Sequence, residues 1–337
     1  MSKTFSVFLY NIFKKLAATL GFKDFQNQTK VTEVIILGIT DIQVLQTPLF
    51  SIFLIIYLLT LAANLLIITV VISNPILHNP MYFFICNLSF LDISYSSVIQ
   101  PKLLSTLLAG PSVVSFPGCI EQLYVFMSLA CTEFVSLTAM SYDRYLAICK
   151  PLHYAVLINT RICMLLVAIC WIVGFVDPLA HTMVISQLPF CKPPVINHFF
   201  CDLLVLLNLS CVDKVFIEIM TYVVGSVVAL PAFMLTLTSY VLIISSILKI
   251  HSTDGRQKAF STCASHLTVV ILFYGTVLAM HMRPSSDYLL PQDKPLSVLY
   301  TTIIPMLNPL IYSLRNKDVK KALFWPSTFL DTKHWDH

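Results

Sequence analysis

Apolar and polar positions fall into long blocks along the chain rather than short alternations. Seven stretches are apolar on every side: Pro48–Ile72, Tyr82–Pro101, Gln122–Ile148, Ile162–Ile185, Phe216–Ile247, Ala259–Met282 and Ser297–Leu314. Each comes close to or exceeds the roughly 20 residues a helix needs to cross about 30 Å of hydrocarbon. Period-2 alternation does not run through them, so helices are expected and a lipid-facing barrel is not. No self-similar halves are visible, which weakens a transporter built from repeats. The pattern predicts an all-α membrane protein, a seven-transmembrane helix bundle. Residues 1–47 precede it, residues 48–314 form it, and residues 315–337 make a cytoplasmic helix and tail.

Charge then orients the bundle, because Lys and Arg near span ends favour the cytoplasm. With the N-terminus extracellular, eleven basic residues lie inside: Arg144, Lys150, Arg161, Lys249, Arg256, Lys258, Arg315, Lys317, Lys320, Lys321 and Lys333. Five (Lys102, Lys192, Lys214, Arg283 and Lys294) fall in outer loops, and the remaining five (Lys3, Lys14, Lys15, Lys23 and Lys30) lie in the leading segment and narrow the bias without reversing it. Composition agrees with a lipid solvent. The 337-residue chain is 57% hydrophobic and 11% charged, against about 25% charged in soluble domains. Its mean hydropathy is +0.81. A cytosolic enzyme and a disordered chain are therefore excluded, and a spread-out net charge of +4 does not point to nucleic acid. No phosphate-binding glycine loop or His-Glu-X-X-His appears, so nothing nominates an enzyme.

Candidate chemistry begins with charges inside the hydrocarbon. A carboxylate at a helix centre costs about 2.5–3.5 kcal/mol on insertion scales, so each marks a functional position. Asp92 and Glu133 sit mid-span, with the amides of Asn64 and Asn308 in the first and last spans. Such a set either ties helices together or forms a switch, and a channel or transporter using these carboxylates is the alternative function. Asp143-Arg144-Tyr145 stands where the third span meets the cytoplasm. A guanidinium there can pair with its neighbouring carboxylate in one state and be released in another.

Cys119 opens the third span on the outer side, and Cys191, Cys201 and Cys211 lie in the long outer loop. An oxidising exterior favours disulfides, and four cysteines allow three pairings. Zinc or copper held with His198 is the rival reading. Of three Asn-X-Ser/Thr sequons, Asn27 and Asn208 are outside and suit glycosylation, whereas Asn87 is within a span. Phe5, Phe8, Leu9, Ile12, Phe13, Leu16 and Leu20 form an apolar helical stripe, read as an interfacial segment rather than a cleaved signal.

Four strings, in order, identify a family. Leu77-His78-Asn79-Pro80-Met81-Tyr82-Phe83-Phe84 leads into the second span. The third closes on Met140-Ser141-Tyr142-Asp143-Arg144-Tyr145-Leu146-Ala147-Ile148-Cys149-Lys150-Pro151-Leu152-His153-Tyr154. Lys258-Ala259-Phe260-Ser261-Thr262-Cys263-Ala264-Ser265-His266-Leu267 opens the sixth, and Pro305-Met306-Leu307-Asn308-Pro309-Leu310-Ile311-Tyr312-Ser313-Leu314-Arg315-Asn316 closes the seventh. From about Asn27 to Leu323 the chain resembles vertebrate olfactory receptors, a branch of the rhodopsin-like G-protein-coupled receptors. Ala63-Asn64 replaces the family's usual Gly-Asn, and Asn79 stands where Thr or Ser is common.

The resemblance implies a plasma-membrane receptor, embedded in the lipid bilayer, for a small and largely apolar odorant. It would signal through a stimulatory heterotrimeric G protein and cyclic AMP, with no cofactor beyond a sodium ion at Asp92 and Glu133. It implies disulfides Cys119–Cys201 and Cys191–Cys211. The ligand would meet Phe126, Met127, Ala130 and Cys131 on the third span, with Leu203 in the lid. Val224, Val228, Val277, Leu278, His281 and Thr301 would supply the other walls. Phe126 stands where amine receptors of the wider class carry Asp, which disfavours a cationic monoamine; Asp177 in the fourth span is the exception without an assigned role. The implied activation switch comprises Asp92, Glu133, Asp143, Arg144, Tyr240, Tyr274, Asn308 and Tyr312. After the last span, Val319, Leu323 and Phe324 beside Lys317, Lys320 and Lys321 suggest a short amphipathic helix on the inner leaflet.

Overall fold

The computed structural model describes residues 31–190, 193–211, 214–281, 293–315, and positions 319 and 322. The apolar stripe near the N-terminus, Asn27, Cys191 and most of the expected tail helix lie outside these residues. Seven helices follow in chain order: α1 (Gln43–Ser73), α2 (Pro80–Ala109), α3 (Phe116–Cys149), α4 (Thr160–Ile185), α5 (Lys214–Leu248) and α6 (Thr253–His281), then α7. The last, α7, runs as Asp293–Val298, a π-helical stretch Leu299–Ile303, and Ile304–Arg315. Six helical segments are long and apolar enough to cross a membrane, and Cys263–Ala279 within α6 is a shorter apolar one.

Helix ends lie beyond the apolar runs, because caps rather than hydropathy stop a helix. The Asn79 side chain accepts from Tyr82 N at 3.4 Å ahead of α2, Ser115 caps Gly118 N at 3.3 Å ahead of α3, and Asn159 caps Ile162 N at 3.0 Å ahead of α4. So Asn79, the residue unusual for the family, still does the work of a Thr or Ser cap. Pro80 and Pro117 occupy first-turn positions where a missing N–H leaves nothing unpaired. Gly110, with φ of 82°, ends α2.

The bundle centres on α2 and α3, whose apolar windows are the most enclosed. Polar side chains, spaced a turn or more apart, tie the helices together. Asn87 donates to Ser136 Oγ at 3.2 Å and accepts from Trp171 Nε1 at 2.8 Å, joining α2, α3 and α4. Thr138 Oγ1 donates to Ala232 O at 3.2 Å, linking α3 to α5. Asn64 Nδ2 donates to Pro305 O at 3.1 Å, linking α1 to α7. Gly174 lets α4 lie against α3: an added Cβ would come within 1.9 Å of Thr132 Oγ1 and 2.9 Å of Ser128 O. Overpacking of this kind costs about 1–3 kcal/mol. Gly174→Ala is expected to lower the thermal midpoint and surface display together; an unchanged midpoint would refute this close approach.

One feature departs from an all-helical reading. Strand β1 (Glu33–Ile36) pairs antiparallel with β2 (Ser112–Ser115) and parallel with β3 (Val195–Ile196), in the order β2-β1-β3. Val34 and Ile36 are buried while Glu33 and Ile35 face outward. This small sheet and a short helix, Leu203–Leu209, cover the outer end of the bundle around Cys119, Leu123 and Cys201. Thus the leading segment is woven into the outer loops instead of trailing from the first span.

Candidate functional site

Beneath this cover, aromatic side chains from five elements converge. The Phe126 ring lies 5.1 Å from Tyr95 of α2, 4.9 Å from Phe200 of the loop and 5.7 Å from Tyr300 of α7. Phe273 of α6 closes the group, 6.3 Å from Tyr300 and 4.8 Å from Phe134. The next residue, Tyr274, packs edge-on against Phe134 at 5.1 Å and tilted against Phe233 at 5.4 Å. Its hydroxyl reaches Thr236 Oγ1 at 3.5 Å, and Thr236 meets Thr138 at 3.1 Å. Polar handles are few: Gln100 Nε2 donates to Thr302 Oγ1 at 2.7 Å. A mainly apolar and aromatic enclosure with sparse hydrogen-bonding groups suits a small neutral molecule.

The loop above is fixed by the Cys119–Cys201 disulfide and by Cys201 N donating to Gln122 Oε1 at 3.0 Å. Phe199 and Phe200 are fully buried beside it. Cys211 is also disulfide-bonded; its expected partner Cys191 lies outside the described residues. Cys119, Cys201 and Cys211 are held in disulfides, which takes those thiols away from the zinc or copper reading, and His198 stacks on Phe199 at 4.6 Å. Among the described residues no cluster of three or more His, Cys, Asp or Glu suits a metal ion. Asn208 sits half-buried within the Leu203–Leu209 helix.

The remaining ligand-set residues divide. Phe126 is central, and Met127, Ala130 and Val228 are half-buried on α3 and α5. Cys131 places its thiol 3.8 Å from Asp177 Oδ2, which gives Asp177 a neighbour on α3. Thr301 is buried but donates to Ser297 O at 2.7 Å. The side chains of Val224 and His281 lie outside the described set. One position differs from expectation. Leu278 falls with Ile271 on the outward side of α6, 42% exposed, away from Tyr274 and Val277. Leu203 packs into the outer cover, and Phe200 is the loop residue that enters the aromatic group.

Halfway down the bundle, Asn308 Nδ2 donates to both Asp92 oxygens, at 3.0 and 3.2 Å. Glu133 is buried and acts electrostatically on Asp92. Its Oε1, like Asn308 Oδ1, has no hydrogen-bond partner among the described residues.

At the cytoplasmic end, Arg144 is ion-paired with Asp143 of its own helix and donates through Nε at 2.9 Å. Tyr154, in the short inner helix Tyr154–Leu157, donates to the other Asp143 oxygen at 2.7 Å. Burial and the Asp143 carboxylate push the Tyr154 phenol above its ordinary pKa, so it stays a donor at cellular pH. Tyr240 and His266 are hydrogen-bonded to each other across α5 and α6. Tyr312 turns its hydroxyl into a small cavity shared with Arg144, His266 and Met140, where it meets no partner among the described residues. Arg144 is thus clamped on one side and shares a cavity with the Tyr312 hydroxyl on the other, an arrangement with two alternative pairings.

Sequence reasoning missed Tyr95, Tyr300, Phe200, Tyr154 and His266. His266 carried a legible signal, a polar residue inside an apolar span. Tyr300 did not: it stands among apolar and hydroxyl residues of the last span, in a π-helical stretch, Leu299–Ile303, where the 3.6-residue period does not tell which side chains face inward.

Comparison with known proteins agrees with this geometry. The family profile described as "Olfactory receptor" matches residues 53–325. Olfactory receptor 8U1 of Homo sapiens is 46% identical over 88% of this chain and 96% of its own length. Olfactory receptor 5AR1 of Mus musculus is 46% identical over 89% and 96%. Olfactory receptor 5AP2 of Homo sapiens is 49% identical over 88% and 94%.

Proposed function

The chain belongs to the olfactory receptor family, and from that premise we propose where it binds its odorant and how it signals. It is a multi-pass plasma-membrane receptor that binds an odorant and acts through a G protein, and it is not an enzyme. The relatives give the channel or transporter alternative no support.

The odorant is small, neutral and mainly apolar, and it packs within the Tyr95, Phe126, Phe200, Phe273 and Tyr300 group. The convergence of rings from α2, the loop and α7 on Phe126 of α3 carries this reading. An odorant panel on cells tests it. Phe126→Ala removes ring contacts to three partner elements, and a lost buried aromatic anchor weakens binding by about 3 kcal/mol, roughly a hundredfold in the half-maximal dose. Potency unchanged for every active odorant would place the ligand elsewhere.

The G protein is of the stimulatory type, raising cyclic AMP, and it engages Arg144 once that residue leaves Asp143. Tyr154 helps to hold the resting state, since a hydrogen bond to a charged group is worth about 1.5–3 kcal/mol. Tyr154→Phe should raise odorant-independent cyclic AMP about tenfold at matched surface level. Basal signal equal to the wild type would mean the bond does not restrain Arg144.

The inner carboxylates also suit a hard monovalent cation, which prefers oxygen donors. The unmatched Glu133 Oε1 and Asn308 Oδ1, beside the Asp92 carboxylate, make such a donor set. Asp92 and Glu133 would hold a sodium ion with help from Asn308. A bound cation supplies positive charge that offsets two carboxylates buried in one place.

A further inference from the structure

On the outer flank of the bundle, α2, α3 and the sheet enclose a groove of about 320 Å³. Its apolar walls include Ile36 of β1, Val114 of β2 and Val125 of α3; its polar groups are Lys102, Glu121 and Gln122. This groove belongs neither to the aromatic site nor to the inner switch.

Two opposite charges line one small groove, yet neither forms an ion pair: among the described residues the only ion pair is Arg144–Asp143. Lys102 Nζ donates to Ser112 Oγ, which anchors the ammonium but leaves its charge unmatched. Glu121 is exposed. Both stand within two or three turns of the outer helix ends, Ala109 and Phe116, at the level of lipid head groups. A ligand for such a groove carries both charges, set apart, on an apolar body. The volume lies at the low end of small-molecule sites, enough for a head group while acyl chains run outside along the helices.

We propose that this groove binds the head group of a zwitterionic outer-leaflet phospholipid, with its phosphate on Lys102 and its ammonium on Glu121. A lipid seated there touches β1 and β2 of the cover. It also touches Gln122, whose amide donates to Val98 O at 3.0 Å and accepts from Cys201 N at 3.0 Å. The occupant therefore braces the same loop that roofs the odorant site.

The test uses the purified full-length receptor in a sugar-headgroup detergent, with no odorant, so its outcome is independent of the ligand reading. Phosphatidylcholine, phosphatidylglycerol and diacylglycerol of equal chain length are added, and retained lipid is counted by native mass spectrometry. Phosphatidylcholine should be retained about fivefold over the other two, the scale of a partly exposed charge contact. Lys102→Gln and Glu121→Gln should each abolish that preference, while Lys102→Arg and Glu121→Asp keep it. The conservative pair separates loss of charge from loss of fold. Equal retention of all three lipids, preference for phosphatidylglycerol, or preference surviving both Gln variants would overturn the proposal.

Discussion

Arg144→Ala receptors reach the cell surface at the wild-type level and raise almost no cyclic AMP with any odorant. The expectation follows from where Arg144 sits. Its guanidinium is buried against Asp143 at the inner end of α3 and faces the Tyr312 and His266 cavity. Truncation leaves Asp143 with its Tyr154 bond, so the carboxylate at the resting helix end keeps a hydrogen-bond donor. Signalling loses the one cation in that cavity, and odorant-evoked cyclic AMP should fall roughly a hundredfold, near the top of the range for coupling between sites. The decisive comparison is surface labelling beside second-messenger output. Equal loss of both would make Arg144 a packing and topology residue only.

Asp92→Ala strikes the second point where helices are joined by charge. It strips Asn308 of both acceptors, and an amide donor left unmet in the interior costs about 1–3 kcal/mol. It also relieves Glu133 of a like-charged neighbour, so the net effect on folding is small. The link between α2 and α7 is lost, however, and α7 carries both Tyr300 of the odorant site and Tyr312 of the inner switch. Maximal odorant response should drop about tenfold or more at unchanged surface level. Thermal stability of the wild type should rise when choline chloride is replaced by sodium chloride, and that rise should vanish in the variant. A sodium effect that persists in Asp92→Ala would remove the cation from this site.

Hydropathy made the bundle legible because lipid leaves little choice: each crossing must satisfy its own backbone, so seven apolar runs mean seven helices. The charge-bearing positions were legible for the same reason, since Asp92, Glu133 and Arg144 stand out in a chain with few charges. Hydropathy did not give the helix ends, which Asn79, Ser115 and Asn159 set through hydrogen bonds. The β1 strand escaped because four residues pairing with distant loops leave only a brief alternation. Side-chain direction was the weakest inference. Leu278 and Tyr274 are one turn apart on α6, yet one faces outward and the other inward. On α7 the π-helical stretch departs from the 3.6-residue period, so the inward face that holds Tyr300 could not be counted off the sequence.

The central claim is that odorant binding beneath the disulfide-fixed loop is read out by a G protein at Arg144. The most direct measurement records cyclic AMP and membrane current together in cells that express this chain, across an odorant panel, with the G protein present and then deleted. The account predicts odorant-evoked cyclic AMP that needs both the G protein and Arg144, with no current once the G protein is gone. An odorant-evoked current that survives deletion of the G protein would contradict it.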